Sequence, residues 1–252
     1  MNSNQFIKEM RNIIIETTTY CNRRCYYCPN YTVGRKNKLM KRSTFYKIIN
    51  DLKIHSFQGS IEPTGYGEPL TDPRLEEFIA YMRKNLPNSN IRIVTNGDFF
   101  TIEKFLLLKY LGVNYFIISS HIGNPPSAAI KTMNIIKKNN PDLLNVVYVK
   151  DVGKLIKNRD FHNRCGLVAL EITKRDKCLY SPIKQMNIDV DGNVLFCCHD
   201  YLAKHVFGNV CNKDLYKIWN SKKYIKFRES IDNGRLPYKM CKICTGKEKT
   251  MI

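Results

Sequence analysis

Cys21, Cys25 and Cys28 lie within eight residues, in "CNRRCYYC" at the end of an apolar run. Their C-x3-C-x2-C spacing puts three thiols on one short loop. Thiolates are ligands for zinc and for iron–sulfur clusters, and a closed site of either kind takes four protein ligands. Three thiolates leave one metal corner bare, much as catalytic zinc sites keep one position open for water or substrate. The fourth ligand is therefore expected to be a small molecule. A zinc knuckle is the competing reading of the same spacing.

A second set comprises Cys178, Cys197 or Cys198, Cys241 and Cys244. A C-x2-C pair with two distant cysteines fits a four-cysteine zinc site or a fully ligated cluster, and spacing alone does not separate them. Cys165 and Cys211 read as packing cysteines. Ten cysteines in 252 residues would suggest disulfides in a secreted chain, but in a reducing cytosol clustered cysteines mark metal sites. The start of the sequence lacks a secretory apolar run and no stretch reaches membrane-spanning length, so a cytoplasmic protein is expected. Hydrophobic residues make up 43% of the chain, enough for a packed core. The net charge of +19, from 41 Lys and Arg against 22 Asp and Glu, is scattered along the chain, and reads as a solvated basic surface. With a single tryptophan, a nucleic-acid face is not expected.

The elements that must position these cysteines alternate. Residues 12–19, rich in β-branched side chains, read as a buried strand. Ser43 is the expected N-cap of the helix that follows. Residues 59–69 read as a second strand entering a glycine loop, and Asp72-Pro73 as the N-cap and first position of the next helix. Strands are expected at 91–97, 114–121 and 143–150, with helices after Thr101 and within 127–139. A sixth β/α unit is expected in 151–172. Repeated β-then-α order implies parallel strands with helical crossovers. Too few units are present for a closed eight-stranded barrel, so the α/β fold is expected to be an open, partial barrel with its chemistry beyond the C-terminal strand ends. From residue 173 the pattern changes to two short strands around Asp191-Gly192, then helices ending at Asn233-Gly234. The expected domains are 1–172 and 173–252.

With Tyr27 in the aromatic place, "CNRRCYYC" resembles the C-x3-C-x-aromatic-C signature of radical S-adenosylmethionine (SAM) enzymes. The resemblance implies a partial (β/α)6 barrel and a [4Fe-4S] cluster on Cys21, Cys25 and Cys28, with SAM chelating the open iron. One electron then splits SAM into methionine and a 5′-deoxyadenosyl radical that takes a substrate hydrogen. "YGEP" stands where the family has its Gly-Gly-Glu loop, offering Gly67 and Glu68 to SAM, although Tyr66 replaces the first glycine. "TNG" with Asn96, and Ser119, occupy the usual ribose-contact positions. The stretch from Cys178, through "DGNVLFCC" and "DLYKIWNS" to "CKIC", resembles the auxiliary-cluster module called SPASM or, when short, twitch. That implies a second [4Fe-4S] cluster on Cys178, Cys197, Cys241 and Cys244, with Cys198 as a spare neighbour.

"YGEPL", "TNGDFFT", "SSHIG" and "NRCG" are similar to the branch that oxidises an amino-cyclitol alcohol in butirosin biosynthesis. This implies two-electron oxidation of a sugar- or cyclitol-like alcohol, with the auxiliary cluster as electron acceptor and Arg164 at the substrate. His121 and Tyr66 are further substrate-contact candidates. A flavodoxin or ferredoxin is the expected electron donor. Two other functions compete: radical modification of a ribosomal peptide, disfavoured because the first strand begins near Asn12 and leaves little room for a peptide-binding segment, and a zinc protein associated with nucleic acid.

Overall fold

A computed structural model of the protein describes residues 10–122, 126–178 and 182–249. The chain opens with β1 (Asn12–Ile15), the four-residue helix α1 (Pro29–Thr32) and α2 (Arg42–Ile54). β2 (Ser60–Glu62), α3 (Leu75–Asn85), β3 (Asn90–Thr95), α4 (Ile102–Tyr110) and β4 (Tyr115–Ser120) follow. Then come α5 (Ser127–Asn139), β5 (Val147–Asp151) and α6 (Val152–Lys157). β6 (Gln185–Ile188), β7 (Asn193–Leu195), β8 (Val206–Asn209), α7 (Leu215–Trp219), α8 (Lys222–Asp232) and α9 (Lys239–Cys244) complete it.

The strands form one sheet in the order β5-β4-β3-β2-β1-β6-β7-β8. From β5 to β6 all neighbours run parallel, and β7 and β8 add antiparallel to β6. β1 is thus central, paired to β2 on one side and β6 on the other. Strand periodicity sorts its side chains: Ile13 and Ile15 are fully buried in the core, while Ile14 faces the cavity at the site. The helical layer packs on the other face, with Phe45 of α2 stacked on Phe78 of α3 at 3.9 Å between ring centroids. Phe100, Phe105 and Phe116 continue this core under β4.

Local signals hold where nothing distant competes. Thr101 caps α4 by accepting from the Lys104 amide, and Gly192 turns the β6–β7 hairpin at φ +83, a region that favours glycine. Elsewhere tertiary contacts win. α2 starts at Arg42 with Lys41 as its cap residue, so Ser43 is not the N-cap; the preceding Met40 amide is already anchored to the Thr17 carbonyl. α3 starts at Leu75 rather than after Asp72, because Asp72 instead clamps Arg74, accepting from its amide and its guanidinium. The guanidinium in turn donates to the Thr17 carbonyl, inside the barrel wall.

The expected sixth strand does not form within 151–172: among the described residues, this segment holds α6 and the 3-10 turn Arg164–Gly166. The apolar side chains of Phe161 and Leu170 are used differently, packing with Tyr27 and Val152 in a small second core. The sixth parallel strand is β6, so the sheet runs unbroken from the β/α repeats into the C-terminal hairpin.

Trp219, fully buried among the C-terminal helices, reports on that half. Ile13→Ala in central β1 is expected to cost about 2–5 kcal/mol. It should move the Trp219 fluorescence transition in urea as far as the far-UV circular dichroism transition. An unmoved fluorescence transition would show that the two halves unfold independently.

Candidate functional site

A cavity of about 460 Å³ opens at the C-terminal ends of the parallel strands. Cys21, Cys25 and Cys28 line it from the loop after β1, and Tyr66, Gly67 and Glu68 from the loop after β2. Asn96, Ser119 and His121 reach it from β3 and β4, and Arg164 from the 3-10 turn. Every residue singled out for the first cluster, SAM or substrate therefore shares one space.

The cysteine loop is fixed by polar ties to its neighbours. Arg23 donates Nε to Asp98 Oδ2 at 2.7 Å, and Asn22 donates to the same oxygen. Asn96 donates its amide to Asn22 at 2.8 Å. Glu68 is 3% exposed and bonds inward. It accepts from the Leu70 amide, the Thr95 hydroxyl and the Asn96 amide at 3.1, 2.5 and 2.7 Å, so most of its acceptor capacity knots the β2 loop to the β3 loop. Gly67 must be glycine: a Cβ there would lie 2.1 Å from the Thr18 carbonyl oxygen, and the Glu68 amide donates to the Tyr20 carbonyl alongside.

Tyr27, in the aromatic place of the cysteine motif, is buried with its hydroxyl 2.6 Å from His121 Nδ1. The same nitrogen lies 3.8 Å from Cys25 Sγ. Burial, with help from the Arg23 charge, pushes the His121 pKa down to about 4, so the ring is neutral at neutral pH. Burial likewise pushes the Cys21 thiol up to about 11 and raises Cys28. Thiols held neutral by burial, as Cys21 and Cys28 are, become thiolates when a cationic centre compensates their charge, as metal-binding thiols do.

Opposite lies the end of the cavity that holds Arg164. The Arg164 guanidinium sits 5.7 Å from the Tyr66 ring centroid and 4.9 Å from that of Phe161. The buried Tyr66 hydroxyl and Asn187 Nδ2 have no partner among the described residues. Glu16, deep in the cavity, is held by Arg35 and by the Tyr66 amide.

A second, smaller void is lined by Cys178, Cys197, Cys241 and Cys244. Phe196, Phe227, Ile231 and Leu236 close it with apolar surface, and burial pushes Cys241 up to about 12. Four thiols gathered around one small void suit a fully ligated cluster. The adjacent pair separates cleanly: Cys197 faces this void, whereas Cys198 lines the larger cavity. Cys165 is buried beside Cys244. Cys211 is exposed near the Thr44 hydroxyl and is not a packing residue, since the turn after β8 leaves it outside the core.

Sequence reasoning missed the Arg23–Asp98 and Arg35–Glu16 pairs, Asn187, and the buried His162 and His199. Arg23 stood within the cysteine motif, but nothing local marked Asp98 as its partner.

Residues 15–165 match the radical SAM superfamily, and residues 178–245 match SPASM, an iron–sulfur cluster-binding domain. The chain belongs to the radical SAM superfamily. It is 31% identical, over 93% of its length and 92% of the relative's, to the S-adenosyl-L-methionine-dependent 2-deoxy-scyllo-inosamine dehydrogenase of Niallia circulans. Its fold matches the crystal structure of BtrN in complex with AdoMet and 2-DOIA with a TM-score of 0.83, 29% identity and 92% coverage of each chain. Against BtrN in an open conformation the TM-score is 0.70 at 25% identity, covering 94% of this chain and 91% of that one. SAM and [4Fe-4S] clusters are thus its cofactors, and the two cysteine-lined spaces offer the donor sets these require. Among the described residues, no helix is long and apolar enough to cross a membrane.

Between pH 6.5 and about 4 the unfolded chain takes up a proton that the folded His121 refuses, so the cluster-free protein loses stability as pH falls through that window. His121→Phe lacks this group. In urea titrations at about pH 7 and about pH 5 it should lose less stability on acidification than wild type; an equal loss would contradict a neutral, buried imidazole.

Proposed function

We propose that this radical SAM oxidoreductase oxidises an alcohol carbon of a sugar- or cyclitol-like small molecule by two electrons. The observation that carries this reading is the shared wall between the two spaces. Arg164 and Cys198 face the larger one, while the next residue in the first case and the preceding one in the second, Cys165 and Cys197, face the smaller. A substrate held at Arg164 then lies next to an electron acceptor. The relative from Niallia circulans is a dehydrogenase by name, which supports the same outcome.

In this reading Cys21, Cys25 and Cys28 hold the cluster that binds SAM, and Cys178, Cys197, Cys241 and Cys244 hold the auxiliary cluster. Gly67, Asn96 and Ser119 contact SAM. Glu68 acts chiefly by fixing the Thr95–Asn96 backbone for that contact. The bound cofactors together supply one-electron reductive cleavage of SAM and hydrogen abstraction. The protein's own contribution is positioning. The Arg164 guanidinium binds the substrate hydroxyl and stabilises its alkoxide as the proton leaves. The Tyr66 hydroxyl and the Asn187 amide supply further hydrogen bonds to a polyhydroxylated ligand, which would satisfy two buried polar atoms.

The electron donor is a flavodoxin or ferredoxin. From residue 17 to residue 50 the chain carries eight basic residues and no Asp or Glu, which favours an acidic carrier at the cysteine loop. Reduced thiols in such number favour the cytoplasm.

Anaerobic reconstitution should load about eight irons per chain, from two four-iron clusters. Given dithionite, SAM and 2-deoxy-scyllo-inosamine, the protein should form 5′-deoxyadenosine and the corresponding ketone in equal amounts. 5′-Deoxyadenosine without ketone would exclude that substrate. Arg164→Lys should still cleave SAM but lower ketone formation at least about tenfold, because a point charge cannot replace the planar fork; unchanged ketone yield would remove Arg164 from the substrate site.

A further inference from the structure

Cys244 is treated unlike a simple ligand by its surroundings. His199 Nδ1 lies 3.5 Å and His162 Nδ1 3.9 Å from its sulfur. The buried Cys165 thiol lines the same void beside it. His199 is fully buried and His162 nearly so, with ring centroids 4.8 Å apart. Histidines so enclosed serve no solvent-facing purpose, and the alcohol oxidation outlined above does not use them.

The position of this sulfur is as telling as its partners. Cys165 follows Arg164, and both residues are held in the left-handed region at φ 54 and 50, a conformation that costs side-chain-bearing residues energy. Asn163 secures the turn from the other side, donating Nδ2 to the Ile243 carbonyl at 3.1 Å. His199 lies between Cys198 and Asp200, which both line the substrate cavity. Among the five thiols of the smaller void, Cys244 is thus ringed by the neighbours of cavity-lining residues.

A thiolate bound to iron carries no proton, so each imidazole must donate its N–H to the sulfur. Donation draws electron density from the ligand and stabilises the reduced cluster. We propose that Cys244 is the corner at which the auxiliary cluster receives the substrate's electron, and that His162 and His199 raise the cluster's reduction potential by hydrogen-bonding to its sulfur. This rests on Cys178, Cys197, Cys241 and Cys244 being the auxiliary ligands. The step would balance: after hydrogen abstraction the substrate would give its hydroxyl proton to solvent and one electron to the oxidised cluster, leaving a C=O bond. His162 and His199 are positioning residues, touching neither substrate nor SAM.

The test uses the full chain carrying Cys21→Ala, Cys25→Ala and Cys28→Ala, which leaves only the auxiliary cluster to observe. Reconstituted protein is titrated potentiometrically with EPR detection, and iron and zinc are counted. His199→Leu and His162→Leu should each lower the midpoint, by about a tenfold change in the reduced-to-oxidised ratio at fixed potential, or 59 mV for one electron. His199→Asn, whose Nδ2 takes the place of Nδ1, should recover most of that shift. Unchanged midpoints in both leucine variants at about four irons per chain would overturn the proposal. So would a loss of potential that asparagine does not restore, since packing alone would then explain it. A parent protein without about four irons, or with zinc in their place, would instead sink the ligand assignment beneath it.

Discussion

An incomplete set of ligands governs this molecule. In the proposed reading, three thiols at the end of β1 would hold three corners of a four-iron cluster, and the loop that carries them offers no fourth cysteine. The rest of the barrel mouth is arranged around that deficit. Asn22 and Arg23 pin the loop to Asp98, Asn96 joins it to β3, and Glu68 ties β3 to the β2 loop. These bonds connect residues 28 to 76 positions apart, so they hold only in the folded barrel. They hold the cysteine loop and the β2 and β3 loops in one fixed rim around the cavity.

A second constraint is proximity. Hydrogen abstraction removes one electron's worth of oxidation, and a stable ketone needs another. A closed cluster is a suitable acceptor only if it lies near the substrate. The continuous sheet supplies that nearness. β6 pairs with β1, so the C-terminal hairpin grows directly from the barrel wall. Two dipeptides, Arg164–Cys165 and Cys197–Cys198, then form a partition thin enough to present one side chain to each side.

Much of this was legible in the sequence, for a physical reason: metal ligands and tight turns are encoded by a few residues at short spacing. The gathering of each cysteine set around one space, the first five strands, the Thr101 cap and the Asp191-Gly192 hairpin are of that kind. What depended on distant partners was not legible. Ser43 and Asp72 are good capping residues, yet Met40 and Arg74 were already committed to Thr17 and moved both helix starts. The sixth strand was expected in sequence order, but β1's open edge took Gln185–Ile188 instead. The direction in which Cys197 and Cys198 face, and the gathering of His162 and His199 on Cys244, follow from the chain's return across the barrel and leave no local trace.

The proposed open iron corner can be tested directly. In protein carrying Cys241→Ala to remove the auxiliary signal, the reduced cluster on Cys21, Cys25 and Cys28 should give an EPR spectrum that shifts when SAM is added, because SAM's nitrogen and oxygen enter the vacant coordination position. A fully loaded cluster whose spectrum is identical with and without SAM would contradict an open corner, and with it the assignment of this cavity as the site of radical chemistry.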